Sequence, residues 1–217
     1  MSSYAVPDAS GDPAANESHF AGPVSATVHC GTSVEAHDGE VGSVAAIVVD
    51  VKTAKVTHLV VTNADIGGSG RLVPLAYATT GDGEQLVLDL DRSDVLRFDR
   101  LTVPYDLGEP LLPYARAENI GVWLTPPGGR TFAVHETPPL GSLALRSPVA
   151  VRTRDGKVLG IIASWELECS TGRIRSIVVR MGHLLNRHGL TVSGPLIDYI
   201  DDDGVHLAAP REQLLGR

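Results

Sequence analysis

The decapeptide His29–Asp38, "HCGTSVEAHD", gathers the residue types that hold transition metals. His29, Cys30 and His37 offer two imidazoles and a thiol, a donor set that suits zinc. Their spacing matches no zinc motif, and the stretch reads as a strand-and-turn entry carrying scattered polar side chains. His183 and His188 stand five positions apart and read as the flanks of a solvent-facing loop. In "DYIDDDGVHL", Asp201, Asp202 and Asp203 are consecutive, whereas a calcium loop spreads its ligands over alternate positions. No acidic residue follows at the spacing such a loop needs, so a solvated turn is expected. Ser142, Ser147 and Ser164 have no identifiable base, and neither a Gly-x-Ser-x-Gly elbow nor an HExxH helix occurs. The expectation is a non-enzymatic chain with no metal and no cofactor.

The cations carry more information. Net charge is −8, which argues against general nucleic-acid binding. Its distribution is uneven: residues 1–145 carry a net of −10, residues 146–188 a net of +5 and residues 189–217 a net of −3. Arg152 and Arg154 share a strand face by parity, as do Arg173 and Arg175. If their strands are neighbours, four guanidinium groups make one patch attractive to an acidic protein, RNA or anionic lipid. The plainer alternative is a solvated face balanced by the acidic first half.

The elements that position these residues come in two copies. "DGEVGSVAAIVVDVKTAKVTHLVV" and "DGKVLGIIASWELECSTGRIRSIVV" share β-branched runs separated by a short turn, the pattern of a β-hairpin. Gly42 aligns with Gly160 at an offset of 118, and this holds without a gap through Thr62 and Arg180. Gly42/Gly160, Ala45/Ala163, Thr53/Thr171, Val60/Val178 and Val61/Val179 are identical. His58 meets Ser176, so a catalytic role common to both copies is excluded. "RLVPLAYA" reads as a third strand with Pro74 at its start, where a missing N–H is tolerated on an edge. In "GDGEQLVLDLD", Leu86, Leu88 and Leu90 alternate as one strand face, and "RSDVLRF" reads as a closing helical turn. Pro74/Pro195 and "DGEQL"/"DGVHL" align at an offset of 121, which implies a three-residue insertion around "MGHLLNRHG". Asp38–Gly39, Asp82–Gly83, Asp155–Gly156 and Asp203–Gly204 read as Asp-Gly turns in which glycine takes positive φ; none lies in a phosphate-binding context.

A period near 118 is too long for a solenoid and fits two small globular units. Short apolar strands leave adhesive edges in an open sheet, which favours closed barrels. The expected organisation is all-β. Residues 1–27 form a flexible tail and 28–103 a first barrel. Residues 104–144 form a Pro/Gly-rich connector with at most one hairpin, turning at Pro127–Gly129, and 145–217 form a second barrel. Cys30 and Cys169 are expected to be free, half-buried thiols. The first twenty residues lack the basic start and apolar core of a signal peptide, and no apolar run is long enough to span a bilayer, so a cytoplasmic location is expected.

The pattern resembles the PRC-barrel family. It is carried by Asp38–Gly39–Gly42, Asp50, His58–Val61, Val73–Pro74 and Asp82–Leu86. The second copy supplies Asp155–Gly156–Gly160, Glu168, Thr171–Gly172, Ile177–Val179, Pro195 and Asp203–Leu207. "TPPLGSLALRSPVAVRTRDGKVLG" is similar to the lead-in to the second barrel of bacterial tandem members. The family includes the cytoplasmic barrel of the photosynthetic reaction-centre H subunit and the C-terminal domain of a ribosome maturation factor. The resemblance implies two tandem PRC-like barrels, packed with pseudo-twofold symmetry in a monomer or arranged in a homodimer. It implies an adaptor that docks on a protein partner within a larger assembly. The alternative is RNA or ribosome association through Arg152, Arg154, Arg173 and Arg175.

Overall fold

A computed structural model describes residues 25–63, 70–82, 84–106, 121–124, 132–182 and 188–216, with the backbone alone for 102–135. The described residues are β-strand apart from connecting turns, two short helices and two 3-10 turns. The first half holds β1 (Ser25–Val28), β2 (Ser33–Ala36), β3 (Gly39–Asp50), β4 (Lys55–Thr62), β5 (Arg71–Pro74), β6 (Ala78–Asp82), β7 (Gln85–Leu88) and α1 (Arg92–Val95). Three strands follow: β8 (Thr102–Asp106), β9 (Gly121–Leu124) and β10 (Phe132–Glu136). The second half holds β11 (Ser142–Arg146), β12 (Ala150–Arg152), β13 (Val158–Glu168), β14 (Arg173–Met181), β15 (His188–Ser193), β16 (Ile197–Asp201), β17 (Gly204–Leu207) and α2 (Arg211–Leu215).

Each half builds the same row of strands, β5-β4-β3-β2-β7-β6 and β15-β14-β13-β12-β17-β16. The end strands are linked by 3-10 turns, Leu75–Tyr77 and Gly194–Leu196. The repeated residues are geometric devices. A Cβ on Gly42 would lie 2.2 Å from the Thr62 carbonyl oxygen, and one on Gly160 would lie 2.4 Å from that of Arg180. Only glycine permits this approach of neighbouring strands. Ala45 and Ala163 are the unpaired residues of matching β-bulges, because Val44 faces Val61 while Ala46 faces Val60, and Ile162 faces Val179 while Ser164 faces Val178. A bulge bends its strand, and here both long strands bend at the same place.

The aspartates of two Asp-Gly turns have a second task. Asp38 Oδ1 accepts the Arg92 amide at 2.7 Å, and Asp155 Oδ1 accepts the Arg211 amide at 3.4 Å. Each thereby supplies a first-turn amide of the closing helix with an acceptor from more than fifty residues upstream. Gly39, Gly156 and Gly204 take positive φ as expected, while Gly83 lies outside the described residues.

The register corrects the expected three-residue insertion. His58 faces Pro74, and its counterpart Ser176 faces Ser193, so the offset rises from 118 to 119. Pro74 therefore corresponds to Ser193, and Asp82 to Asp201. Both aspartates accept an amide two residues on, from Glu84 and Asp203 respectively. The inserted length is one residue. The "DG" and Pro matches misled because turn residues recur at sites unrelated by register.

The two halves do not form separate sheets. Fourteen strands make one hydrogen-bonded sheet, and β8, β9 and β10 make a second. The link is a reciprocal exchange. On one edge, β3 pairs with β2 over its first residues and with β11 from Ala46 to Asp50. In the same way β13 pairs with β12 and then, from Trp165 to Glu168, with β1. The strand that leads into each half is thus bonded to the other. A single apolar cluster follows, in which Val28, Ile47 and Leu59 join Leu145, Trp165 and Ile177.

This moves two expected boundaries. Residues 25–27, expected in the tail, lie in β1, and Ala26 is fully buried. Among the described residues, three paired strands, β8 to β10, fall wholly or partly in the expected connector, and β11, which begins in it, belongs to the main sheet. The expected turn at Pro127–Gly129 lies outside the described residues, although β9 and β10 on either side are antiparallel.

The outer faces of the halves differ. Along β3, "AIVV" buries both faces, and Ala46, Val48, Val60 and Leu72 form a second cluster with Leu101. Backbone bonds from Leu72 to Asp99 and from Leu101 to Gly70 hold this cover in place. The equivalent positions in the second half are Ser164, Glu166, Val178 and Thr191, where burial alternates along the strand.

Candidate functional site

The structure separates the four arginines. β12 and β14 are not neighbours, because β13 runs between them. Arg152 faces Val158 at the start of β13, and Arg173 faces Glu168 at its end, roughly 30 Å of extended chain away. Arg154 lies in the turn after β12, and its amide donates to the Ala209 carbonyl. Arg175 is the unpaired residue of a bulge, 3.9 Å from Glu168. One four-guanidinium patch is therefore not formed. Parity along each strand was insufficient, because the bulge and the intervening strand are set by pairing.

Arg152 instead belongs to a different group. Tyr199 faces His206 across β16 and β17, His206 faces Arg152 across β17 and β12, and Arg152 faces Val158 across β12 and β13. Their neighbours Ile200, Val205, Val151 and Leu159 are buried, so these four side chains share the outer face. The Tyr199 and His206 rings stack at 4.1 Å between centroids, 10° from parallel. His206 Nε2 lies 2.9 Å from Asp201 Oδ1, which fixes the ring. Tyr199 and Val158 are 47% and 51% exposed, beside a guanidinium whose Nε is buried without a hydrogen-bond partner. The result is a pre-ordered strip of aromatic, cationic and apolar surface.

The corresponding row in the first half has the opposite character. Thr80 faces Val87, Val87 faces Glu35, and Glu35 faces Glu40. The same strand positions thus display two carboxylates in one copy and a cation with an aromatic stack in the other.

His29, Cys30 and His37 do not converge. The His37 ring lies 3.1 Å from Asp89 and 3.4 Å from Asp91, at the far side of the Asp-Gly turn. His29 Nδ1 donates to the Cys30 carbonyl, and the Cys30 thiol donates to the Ala45 carbonyl at 3.4 Å. Among the described residues no group of three His, Cys, Asp or Glu side chains is placed to hold a metal. His183 lies outside the described residues, as does the side chain of His188. His58 is half-buried, and loss of solvent lowers its pKa. Both cysteines are free, but neither is half-buried: Cys30 is exposed and Cys169 buried, and burial raises the Cys169 pKa.

Three aspartates that organise turns are held below the ordinary carboxylate range. For Asp155 the causes are the Lys157 ammonium at 2.8 Å and then the Thr153 hydroxyl. For Asp50 and Asp82 the chief cause is hydrogen bonding from nearby backbone amides. Asp201, Asp202 and Asp203 sit at a hairpin turn, as expected.

Comparison with known protein-family models finds no match, and neither does a search of curated proteins. Among the described residues no helix is long and apolar enough to cross a membrane.

Tyr199, His206 and Val158 were missed in the sequence because they lie on three separate strands. The available signal was partial: His206 stands between the buried Val205 and Leu207, whereas Tyr199 and Val158 each have one buried apolar neighbour, Ile200 and Leu159.

Proposed function

We propose that this protein is a non-enzymatic, cytoplasmic docking module built from two PRC-like barrels. In this reading it binds a partner protein of a larger assembly through Tyr199, His206, Arg152 and Val158. The observation that carries the reading is the stacked Tyr199–His206 pair beside Arg152 on an exposed sheet face. Tyrosine and arginine dominate the energetics of protein interfaces. A side chain already ordered by stacking loses less freedom on association. Arg152 suits a carboxylate on the partner, and Val158 beside it and Tyr199 at the far end of the row each suit an apolar side chain. The barrel reading is supported by the order of each half, which brings its first and last strands to one 3-10 turn over a shared interior. The nearest named resemblance remains the reaction-centre H subunit barrel. RNA association through four clustered arginines loses its basis, since they stand at two ends of β13.

Affinity capture from native lysate with matched variants tests this. The wild type and the Arg173→Glu/Arg175→Glu variant should retain the same partner. Tyr199→Ala and Arg152→Glu should each lose it. Identical recovery with all four proteins rejects the docking row. Loss only with Arg173→Glu/Arg175→Glu, together with nuclease sensitivity, would restore the RNA reading.

A further inference from the structure

We infer that the cavity between the two halves is a binding site for a small aromatic or branched carboxylate, separate from the docking row. It lies where the chain passes from β1 on the second half to β2 on the first, beside the equivalent link that follows β11. Its volume is about 180 Å³. A dry cavity of roughly 150 Å³ takes a benzene ring, so this one has space for a ring with about one water's worth of polar group.

The lining has two characters. Ile47, Leu145, Val149 and Trp165 offer apolar contact. His29, Cys30, Ser147 and Arg180 offer polar groups. Two of these are already committed: the Cys30 thiol donates to Ala45, and His29 Nδ1 donates to the Cys30 carbonyl. Arg180 is different. Its side chain has no ion pair or hydrogen bond among the described residues, and it stands exposed on β14 at the cavity wall. A free guanidinium fork recognises a carboxylate through two parallel charge-assisted bonds. The ring then occupies the apolar part and the carboxylate faces Arg180, with the Ser147 hydroxyl as a further donor.

The repeat shows why one such site is expected. The counterpart of Arg180 is Thr62, which has no charge. The counterpart of His29 is Arg146, which is neutralised by Glu136 at 2.7 Å. Among the described residues, the duplicated architecture therefore carries an unpaired cation beside this cavity on one side only.

Titration of benzoate into the full chain, followed by NMR, tests the inference, with benzyl alcohol as the neutral ligand of similar shape. A ligand this small should bind with a Kd of about 1 mM. Benzyl alcohol should bind at least about tenfold more weakly. Arg180→Gln, a change at an exposed site, should bring benzoate down to the level of benzyl alcohol. Ala163→Leu, which adds bulk at the cavity wall, should weaken both ligands. Benzoate should also slow alkylation of Cys30 by iodoacetamide. Absence of saturable benzoate binding overturns the site. Equal affinity for the neutral ligand, or no effect of Arg180→Gln, overturns the carboxylate assignment. Unchanged binding by Ala163→Leu with unprotected Cys30 overturns the location.

Discussion

Replacing Leu145 with alanine should destabilise both halves together. Leu145 lies on β11, which precedes the second half in sequence, but it faces Ile47 of the first half and is 6% exposed. Truncating a buried leucine costs roughly 2 to 5 kcal/mol, depending on how far the site can collapse. Collapse is restricted here, because the side chain already lines a cavity of about 180 Å³ that the truncation enlarges. A loss of about 3 kcal/mol is therefore expected. With a urea dependence of about 2 kcal/mol per molar, the unfolding midpoint should fall by about 1.5 M. Hydrogen exchange read by mass spectrometry localises the effect. Peptides from β3–β4 and from β13–β14 should lose protection together, because one sheet and one core join them. Two unfolding transitions, or protection lost in one half alone, would refute the exchanged-strand account.

Gly42→Ala and Gly160→Ala should be damaging to a similar degree, about 3 kcal/mol each, since the added Cβ meets a backbone oxygen at 2.2 or 2.4 Å. Thermal melts check this, and a large loss at only one site would contradict a crossing shared by both copies. The Asp155 carboxyl has a depressed pKa in the folded chain. Its stabilising contribution is complete above the unfolded value of about 4 and disappears as pH falls through the lower folded value. Stability should fall more steeply below about pH 4 in the wild type than in Asp155→Asn, and parallel curves would exclude the assignment. In the folded protein a thiol reagent should label exposed Cys30, while buried Cys169 reacts only on unfolding. Rapid labelling of both would contradict the packing around β13 and β14.

Much of the local structure was legible along the chain. The hairpins β3–β4 and β13–β14, the strand face through Leu86 and Leu88, and the helical turn at Arg92–Val95 follow from short-range pattern. Gly42/Gly160 and Ala45/Ala163 were visible as repeats, but not as a close crossing and a bulge, because each depends on a partner strand. The offset of 121 failed at Pro74 for the same reason, since pairing decides equivalence where turn residues recur by chance. The candidate site was less legible still. Arg152 was singled out, but its grouping with Arg173 and Arg175 assumed that β12 and β14 touch.

Sequence alone determined that this is a duplicated β protein, which turns punctuate it and which strand faces are apolar. Those properties depend on alternation, glycine and β-branching within a few residues. Tertiary structure decided that β1 and β11 change places, that the two cores are one, and that Tyr199, His206, Arg152 and Val158 stand in a row. Each of these is a choice of partner between strands far apart in the chain. Many such pairings satisfy the same local pattern, and only the packing of the whole interior selects among them.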